Sequence, residues 1–138
     1  MAAISQTAAN VLASASAIVE RNYNFGATVT AGQIVYLNAA SKWVLADSDG
    51  GLGTAITSKI GMALNGGSDG QPADVVVKDT DLAPGGTLTN GLAVYLFTTA
   101  GAISQADIPT TGAYPVCLGV AKSTSKMNFN PTASGAII

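Results

Sequence analysis

The chain contains no histidine and a single cysteine among its 138 residues. The absence of histidine excludes the Ser-His-Asp and Cys-His arrangements of nucleophilic catalysis and removes the commonest zinc ligand. A lone cysteine also excludes a disulfide framework. Because Cys117 stands in an apolar run between Val116 and Leu118, we expect a buried and unreactive thiol.

The other residues that could carry chemistry form no catalytic or metal-binding pattern. Ser58-Lys59 and Ser125-Lys126 are adjacent pairs, and neighbours on a strand point to opposite faces, so neither pair can share a proton. The carboxylates that could serve a glycosidase stand in turn-like sequence, where aspartate usually bonds its own backbone. They are Asp47, Asp49, Asp79, Asp81 and Asp107. Asp47-Ser48-Asp49-Gly50 is similar to the start of a calcium loop, but no glutamate follows it. The sequence therefore predicts no enzyme, no cofactor and no metal site.

Charge is scarce as well. Charged residues make up only 10% of the chain, against roughly 25% in an average soluble protein. So few charges solvate a surface weakly, and we therefore expect other copies or a partner to cover much of it. The net charge is -2 and the six basic residues are scattered singly, which argues against a nucleic-acid partner. No apolar run reaches the roughly 18 residues of a membrane span, and the first residues lack a secretory pattern. We expect no membrane association and synthesis in the cytoplasm.

The length and turn pattern predict one all-β domain. Turn residues recur every 8 to 12 positions from Gly26 onward, as in a compact β-barrel or β-sandwich. We predict strands at 34–37, 43–46, 59–64, 73–78, 93–98, 102–104, 116–121, 127–130 and 135–138. Residues 1–20 differ, being rich in Ala and Ser without Gly or Pro, and are predicted to form an extended N-terminal arm with a strand near 15–21. A helix there is the alternative, because the apolar residues also fit a helical stripe.

The domain, predicted at 21–138, repeats itself. Residues 27–37 and 86–96 are identical at six of eleven aligned positions, and similarity continues between 43–47 and 102–107 and between 60–64 and 118–122. The repeat predicts two similar β units, at about 27–65 and 86–123. Tyr36 and Tyr95 then occupy equivalent, half-buried places. Gly61 and Gly119, each inside an apolar strand, predict a bulge or a close backbone approach where the two units cross.

The order of these motifs resembles a family of viral structural proteins. The motifs are Ala-Gly-Gln-Ile-Val-Tyr-Leu at 31–37, Trp-Val-Leu-Ala-Asp at 43–47, Ile-Gly-Met-Ala-Leu-Asn at 60–65, Gly-Gln-Pro at 70–72 and Leu-Gly-Val-Ala at 118–121. Together they resemble the capsid cement or decoration proteins of tailed bacteriophages, over residues from about 25 to 123. The resemblance implies a β-tulip-like domain that forms homotrimers on the outside of the phage head. There it would bind the major capsid protein and stabilise contacts between capsid subunits.

That implied role suggests a use for the arm. Its apolar residues are the predicted partner interface, and they are Ile4, Val11, Leu12, Ile18 and Val19. We expect the arm to lie along the capsid and to pair with an exposed strand edge. Deleting residues 2–19 should then leave a folded oligomer with low capsid affinity. The alternative is a head-fibre or tail-associated virion protein that binds carbohydrate or a receptor through exposed Trp43, Tyr23 and Tyr114.

Overall fold

The structure, a computed structural model, describes residues 3–46, 59–105 and 116–133. In these residues the chain forms eleven strands and one short 3-10 helix at Ala8–Asn10. The strands are β1 Val11–Leu12, β2 Ile18–Glu20, β3 Asn24–Phe25, β4 Ile34–Leu37, β5 Lys42–Leu45, β6 Ile60–Ala63, β7 Val75–Pro84, β8 Ala93–Leu96, β9 Ile103–Gln105, β10 Val116–Ala121 and β11 Met127–Ala133. The predicted all-β class is confirmed.

One hydrogen-bonded sheet connects all of these strands. Its order is β3-β5-β4-β6-β7-β11-β10-β8-β9, and β1 and β2 pair with β7 beside this path. The long strand β7 joins the two halves of the sheet: its first residues pair with β6 and β2, and its later residues pair with β11 and β1. The halves also meet near the turn before β9, where the N–H of Ile34 donates to the carbonyl oxygen of Gly101 at 2.9 Å.

The two segments that repeat in sequence form strand triplets of the same order. β4 lies between β5 and β6, and β8 lies between β9 and β10. The N–H of Gly32 donates to the carbonyl oxygen of Ala63 at 2.8 Å, and the equivalent N–H of Gly91 donates to Ala121 at 2.9 Å. Gly32 and Gly91 both have positive φ, which glycine adopts without strain. That the two segments are similar β units throughout stays a prediction.

Gly61 and Gly119 mark close backbone approaches. Val35 lies opposite Gly61, and Val94 lies opposite Gly119. A Cβ on Gly61 would lie 2.5 Å from the carbonyl oxygen of Val76, and the register of β10 shifts between Cys117 and Gly119. The predicted bulge and close approach are therefore present. The predicted crossing of the two units is not, because the close neighbours belong to the adjacent strands β7 and β11.

The core lies in two clusters, one on each face of the first half of the sheet, which is formed by β3, β5, β4 and β6. Ile34 packs into the larger cluster, which also holds residues of the second half such as Leu118 and Phe129. The next residue, Val35, packs into the smaller cluster with Phe25 and Trp43, because successive strand residues point to opposite faces. The first half is thus covered on both faces.

Several predictions change in the structure. β7 continues to Pro84, so Asp79 and Asp81 stand in a strand and not in a turn. Cys117 is half-buried where we expected burial. The short strands β1 and β3 were not predicted. The predicted strand at 135–138 and the carboxylates Asp47, Asp49 and Asp107 lie outside the described residues.

Candidate partner-binding segment

Residues 3–20, called the N-terminal segment below, lie against the domain, and the predicted extended arm is not confirmed. The segment begins beside β9, where the N–H of Ile4 donates to the carbonyl oxygen of Ile103 at 2.8 Å. The N–H of Thr7 then donates to Gly85 at 2.7 Å. β1 pairs with the end of β7 and β2 with its beginning, both antiparallel. The segment thus follows the whole length of β7.

Two glycines, Gly85 and Gly86, allow the backbone of the segment to pass close to the domain. A Cβ on Gly85 would lie 2.6 Å from the carbonyl oxygen of Thr7, and a Cβ on Gly86 would lie 2.6 Å from that of Ser5. Gln6 fastens the same stretch, because its Nε2 donates to the carbonyl oxygens of Gly32 and Pro84, both at 2.8 Å. These contacts form a seat on the domain for the N-terminal segment.

A buried carboxylate holds the middle of the segment. Asp79 on β7 is 1% exposed and is the only charged residue among the buried residues that the structure describes. It accepts hydrogen bonds from the Ser14 backbone N–H at 2.7 Å, from the Ser14 hydroxyl, from the Ser16 hydroxyl at 3.4 Å and from the Asp81 N–H at 3.0 Å. The connection between β1 and β2 is therefore tied to β7 chiefly through Asp79, and the hydroxyls of Ser16 and Thr80 add a hydrogen bond at 3.0 Å.

The environment of Asp79 favours its ionised form. Burial by itself raises the pKa of a carboxyl group, since it removes water from the charged state. The hydrogen bonds from Ser14, Asp81 and Ser16 act in the opposite direction and leave the pKa of Asp79 below its ordinary value. The carboxylate therefore stays charged at neutral pH and keeps accepting all of these bonds.

Ion pairs fasten the end of the segment more weakly. Glu20 pairs with Lys59, and the hydrogen bond to Glu20 raises the pKa of Lys59 despite partial desolvation. The next residue, Arg21, lies 3.5 Å from the carboxylate of Asp74. Both pairs reach solvent, where such pairs contribute little to stability. The hydrogen bonds to Asp79 and the strand pairing therefore contribute more to the attachment than these ion pairs do.

The structure divides the five residues of the predicted partner interface. Leu12 is 64% exposed and Ile18 is 55% exposed, so these two point to solvent from the seated segment. Ile4 and Val19 are partly buried against the larger core cluster. Val11 is 6% exposed and belongs to that core. Only Leu12 and Ile18 are therefore placed to meet a partner while the segment is seated.

Sequence reasoning missed a second pair of exposed apolar side chains. Leu92 and Val120 are exposed, and the N–H of Ala121 donates to the carbonyl oxygen of Leu92 at 3.0 Å, so they lie close together. Val120 would have been hard to assign, because the bulge at Gly119 changes the in-and-out alternation of β10. Period-two alternation is the signal that the bulge removes.

The aromatic residues do not form the expected sugar-binding face. Trp43 is fully buried in the smaller core cluster, where its Nε1 has no hydrogen-bond partner among the described residues. Tyr23 packs partly buried against the same cluster, and Tyr114 lies outside the described residues. Trp43 therefore cannot stack on a ligand from this position.

The described residues hold neither a cluster of metal ligands nor a membrane-spanning helix. Within 3–46, 59–105 and 116–133, no three His, Cys, Asp or Glu side chains come together as metal ligands would. The same residues contain no helix long and apolar enough to cross a membrane.

In comparisons with known proteins, no protein-family model and no curated protein matches the chain.

Proposed function

We propose that the chain is a capsid decoration protein of a tailed bacteriophage. In this proposal it binds the outer surface of the head as a homotrimer and stabilises contacts between major capsid protein subunits. The role is structural, so the proposal assigns no catalytic residue, cofactor or nucleic-acid partner. Its location is the virion exterior, after synthesis in the host cytoplasm.

The observation that carries the proposal is the pair of apolar side chains on the seated N-terminal segment. Leu12 and Ile18 project from strands that are held by backbone pairing to β7. The serines between them are tied to Asp79 and supply no charge to this surface. Exposed apolar side chains on paired strands are well suited to bind another protein, because burying them costs little polar desolvation. Lys78, the exposed Cα partner of Ile18, adds one positive charge beside Ile18.

Composition supports the same proposal. With charged residues at only 10% of the chain, partner contacts can cover much of its surface without desolvating unpaired charges. A trimer would also bind several capsid subunits at once, so weak contacts at Leu12 and Ile18 would add by avidity.

The mechanism differs from the one expected from sequence. We expected the arm to leave the domain and to add a strand to the capsid. Val11 and Val19 are instead packed with the core, so a free arm would expose apolar surface. We now propose that the capsid contacts the outer face of the seated segment, at Leu12 and Ile18, while Val11, Val19 and Ile4 keep the segment in place.

Capsid co-sedimentation tests this proposal. Purified protein is mixed with expanded heads of the source phage that lack it, and bound protein is measured after pelleting. We expect Leu12→Asp or Ile18→Asp to weaken binding by tenfold or more, because each places a charge in an apolar contact. Val120→Asp is the matched control, since Val120 is 47% exposed but lies on β10, which pairs with β8 and β11 and not with β1 or β2.

The outcomes separate the parts of the proposal. If Leu12→Asp, Ile18→Asp and Val120→Asp all bound heads as well as the unaltered protein does, the N-terminal segment would not be part of the capsid interface. Failure of the unaltered protein to bind, with cryo-electron microscopy density for the chain only on the tail, would overturn the decoration role and favour the tail-associated alternative.

A further inference from the structure

The N-terminal segment relates to the domain as a bound ligand does. Besides local turns, its backbone hydrogen bonds in the described residues go to the domain, at Ile103, at Gly85 and along β7. The side chains of Ile4, Val11, Ala13, Ala17 and Val19 pack against the core that the domain supplies. The segment therefore has no core of its own and depends on a seat for its structure.

The link between segment and domain is slight. Arg21 and Asn22 follow β2, are exposed and belong to no strand. Among the described residues, Arg21 is fastened only by the exposed ion pair with Asp74. Redirecting two exposed residues costs little compared with forming a new interface, because no buried group has to be uncovered at that point.

The entry to the seat is open to solvent. A groove of about 580 Å³ is lined by Ser5, Thr7 and Asn10 of the segment and by residues of the domain that include Thr87 and Thr124. The hydroxyl and amide side chains on its walls make no side-chain hydrogen bond to another described residue. The first part of the segment is thus held by backbone bonds, by Gln6 and by the packing of Ile4 and Val11, while its hydroxyl and amide side chains face the groove.

An empty seat would be unfavourable. Without the segment, β7 would lose its pairing with β2 at 75–78 and with β1 at 83–84, and the main core would lose Val11. Open edges bind other strands readily. The strand that fits this edge, with its glycine clearances and its serines opposite Asp79, is the same segment from a second copy of the chain.

We propose that residues 3–20 of one copy occupy the seat on β7 of a second copy, so that copies assemble by exchanging their N-terminal segments. Every contact of the seated segment is kept in the exchange, and only the link at Arg21 and Asn22 takes a new direction. The inference does not depend on the proposed capsid role, since it concerns how copies of this chain join one another.

Engineered disulfides show whether the segment lies on the domain of its own chain or on that of a second copy. Ile18 and Lys78 are Cα partners between β2 and β7, and both are exposed. In a Cys117→Ser background, we would prepare Ile18→Cys and Lys78→Cys as separate variants, co-express them and oxidise the purified protein. A disulfide between the two variants can form only when the segment of one chain lies in the seat of another. Ala93→Cys with Val120→Cys is the matched control, because these Cα partners both belong to the domain.

We expect at least tenfold more mixed dimer on non-reducing gels from the Ile18 and Lys78 pair than from the control pair. The double variant Ile18→Cys/Lys78→Cys should give covalent oligomers. The proposal would be overturned if the double variant formed its disulfide only within one chain and the two single variants formed no mixed dimer. The pair Leu12→Cys and Ala83→Cys applies the same test to β1, because these two residues are Cα partners between β1 and β7. No disulfide at either position, within or between chains, would contradict the seat itself and overturn the proposal as well.

Discussion

The backbone N–H of Ser14 donates to Oδ2 of Asp79 at 2.7 Å, across 65 residues of sequence. Asp79 is buried, and the Ser14 hydroxyl donates to its other oxygen. Asp79→Asn replaces one accepting oxygen by an NH₂ group, which cannot accept the bonds made to that oxygen, and the remaining oxygen loses its negative charge. We expect a loss of about 1–3 kcal/mol in the free energy of unfolding, the usual cost of leaving buried polar groups unpaired. Urea denaturation followed by circular dichroism measures it.

Asp69→Asn is the control for that measurement. Asp69 is an exposed aspartate that pairs with Lys42 at 3.0 Å on the surface. Exposed pairs of this kind contribute about 0–1 kcal/mol. A loss for Asp79→Asn no larger than that for Asp69→Asn would show that the buried network does not hold the segment.

The same carboxylate predicts a pH dependence. Hydrogen bonding leaves the pKa of Asp79 lower in the folded chain than in the unfolded chain, so folding favours the deprotonated form. Its contribution to stability is therefore complete above the ordinary carboxyl pKa of about 4, and it is lost as pH falls through the lower folded pKa.

Urea midpoints between neutral and acidic pH check this prediction. The difference between the unaltered protein and Asp79→Asn should be largest at neutral pH and should shrink as Asp79 becomes protonated. A difference that stays constant down to about pH 2, well below the ordinary carboxyl pKa, would contradict the assigned role of ionisation.

β7 shows what local sequence could and could not predict. Its first residues, Val75 to Lys78, were predicted as a strand from their β-branched run, and that strand is present. Asp79, Asp81 and Pro84 indicate a turn when considered locally. The strand continues through them because Ser14 satisfies the Asp79 carboxylate from far away in sequence, a long-range contact that no local pattern records.

The candidate interface was predicted only in part for a similar reason. Composition identified the apolar residues of 1–20, but Val11 and Leu12 are neighbours of equal hydrophobic character. They separate because β1 pairs with the end of β7, which turns Val11 towards the core and Leu12 towards solvent. The pairing partner of a two-residue strand cannot be inferred from the strand alone.

This division gives a matched pair of substitutions. Val11→Ala removes two buried methyl groups, and we expect it to lower the free energy of unfolding by about 1–3 kcal/mol. Leu12→Ala alters an exposed side chain and should stay within about 0.5 kcal/mol of the unaltered protein. Thermal or urea denaturation of both variants tests the pair. Equal effects would indicate that the segment is not seated as described.

Deleting residues 2–19 should have a larger effect than either substitution. We expected from sequence that the deletion would leave a folded oligomer, but the structure places Val11 in the core and pairs β1 and β2 with β7. We now expect the deleted chain to be insoluble or to lack a cooperative unfolding transition. A cooperative transition within a few degrees of the full chain would contradict the structural role of the segment.

Gly119 offers a test of the bulge in β10. Its φ is +145°, and a Cβ there would lie 1.8 Å from the carbonyl oxygen of Asn128, so Gly119→Ala combines backbone strain with a clash against β11. Gly70 has φ +89° with nothing within 4 Å of a Cβ, so Gly70→Ala carries strain alone. We expect Gly70→Ala to lower the free energy of unfolding by about 1–2 kcal/mol. Gly119→Ala should lower it by more than about 4 kcal/mol, which is enough to unfold many domains. Soluble yield and thermal midpoint measure both. If the two variants were equally stable, the close approach of β10 and β11 at Gly119 would have to be abandoned.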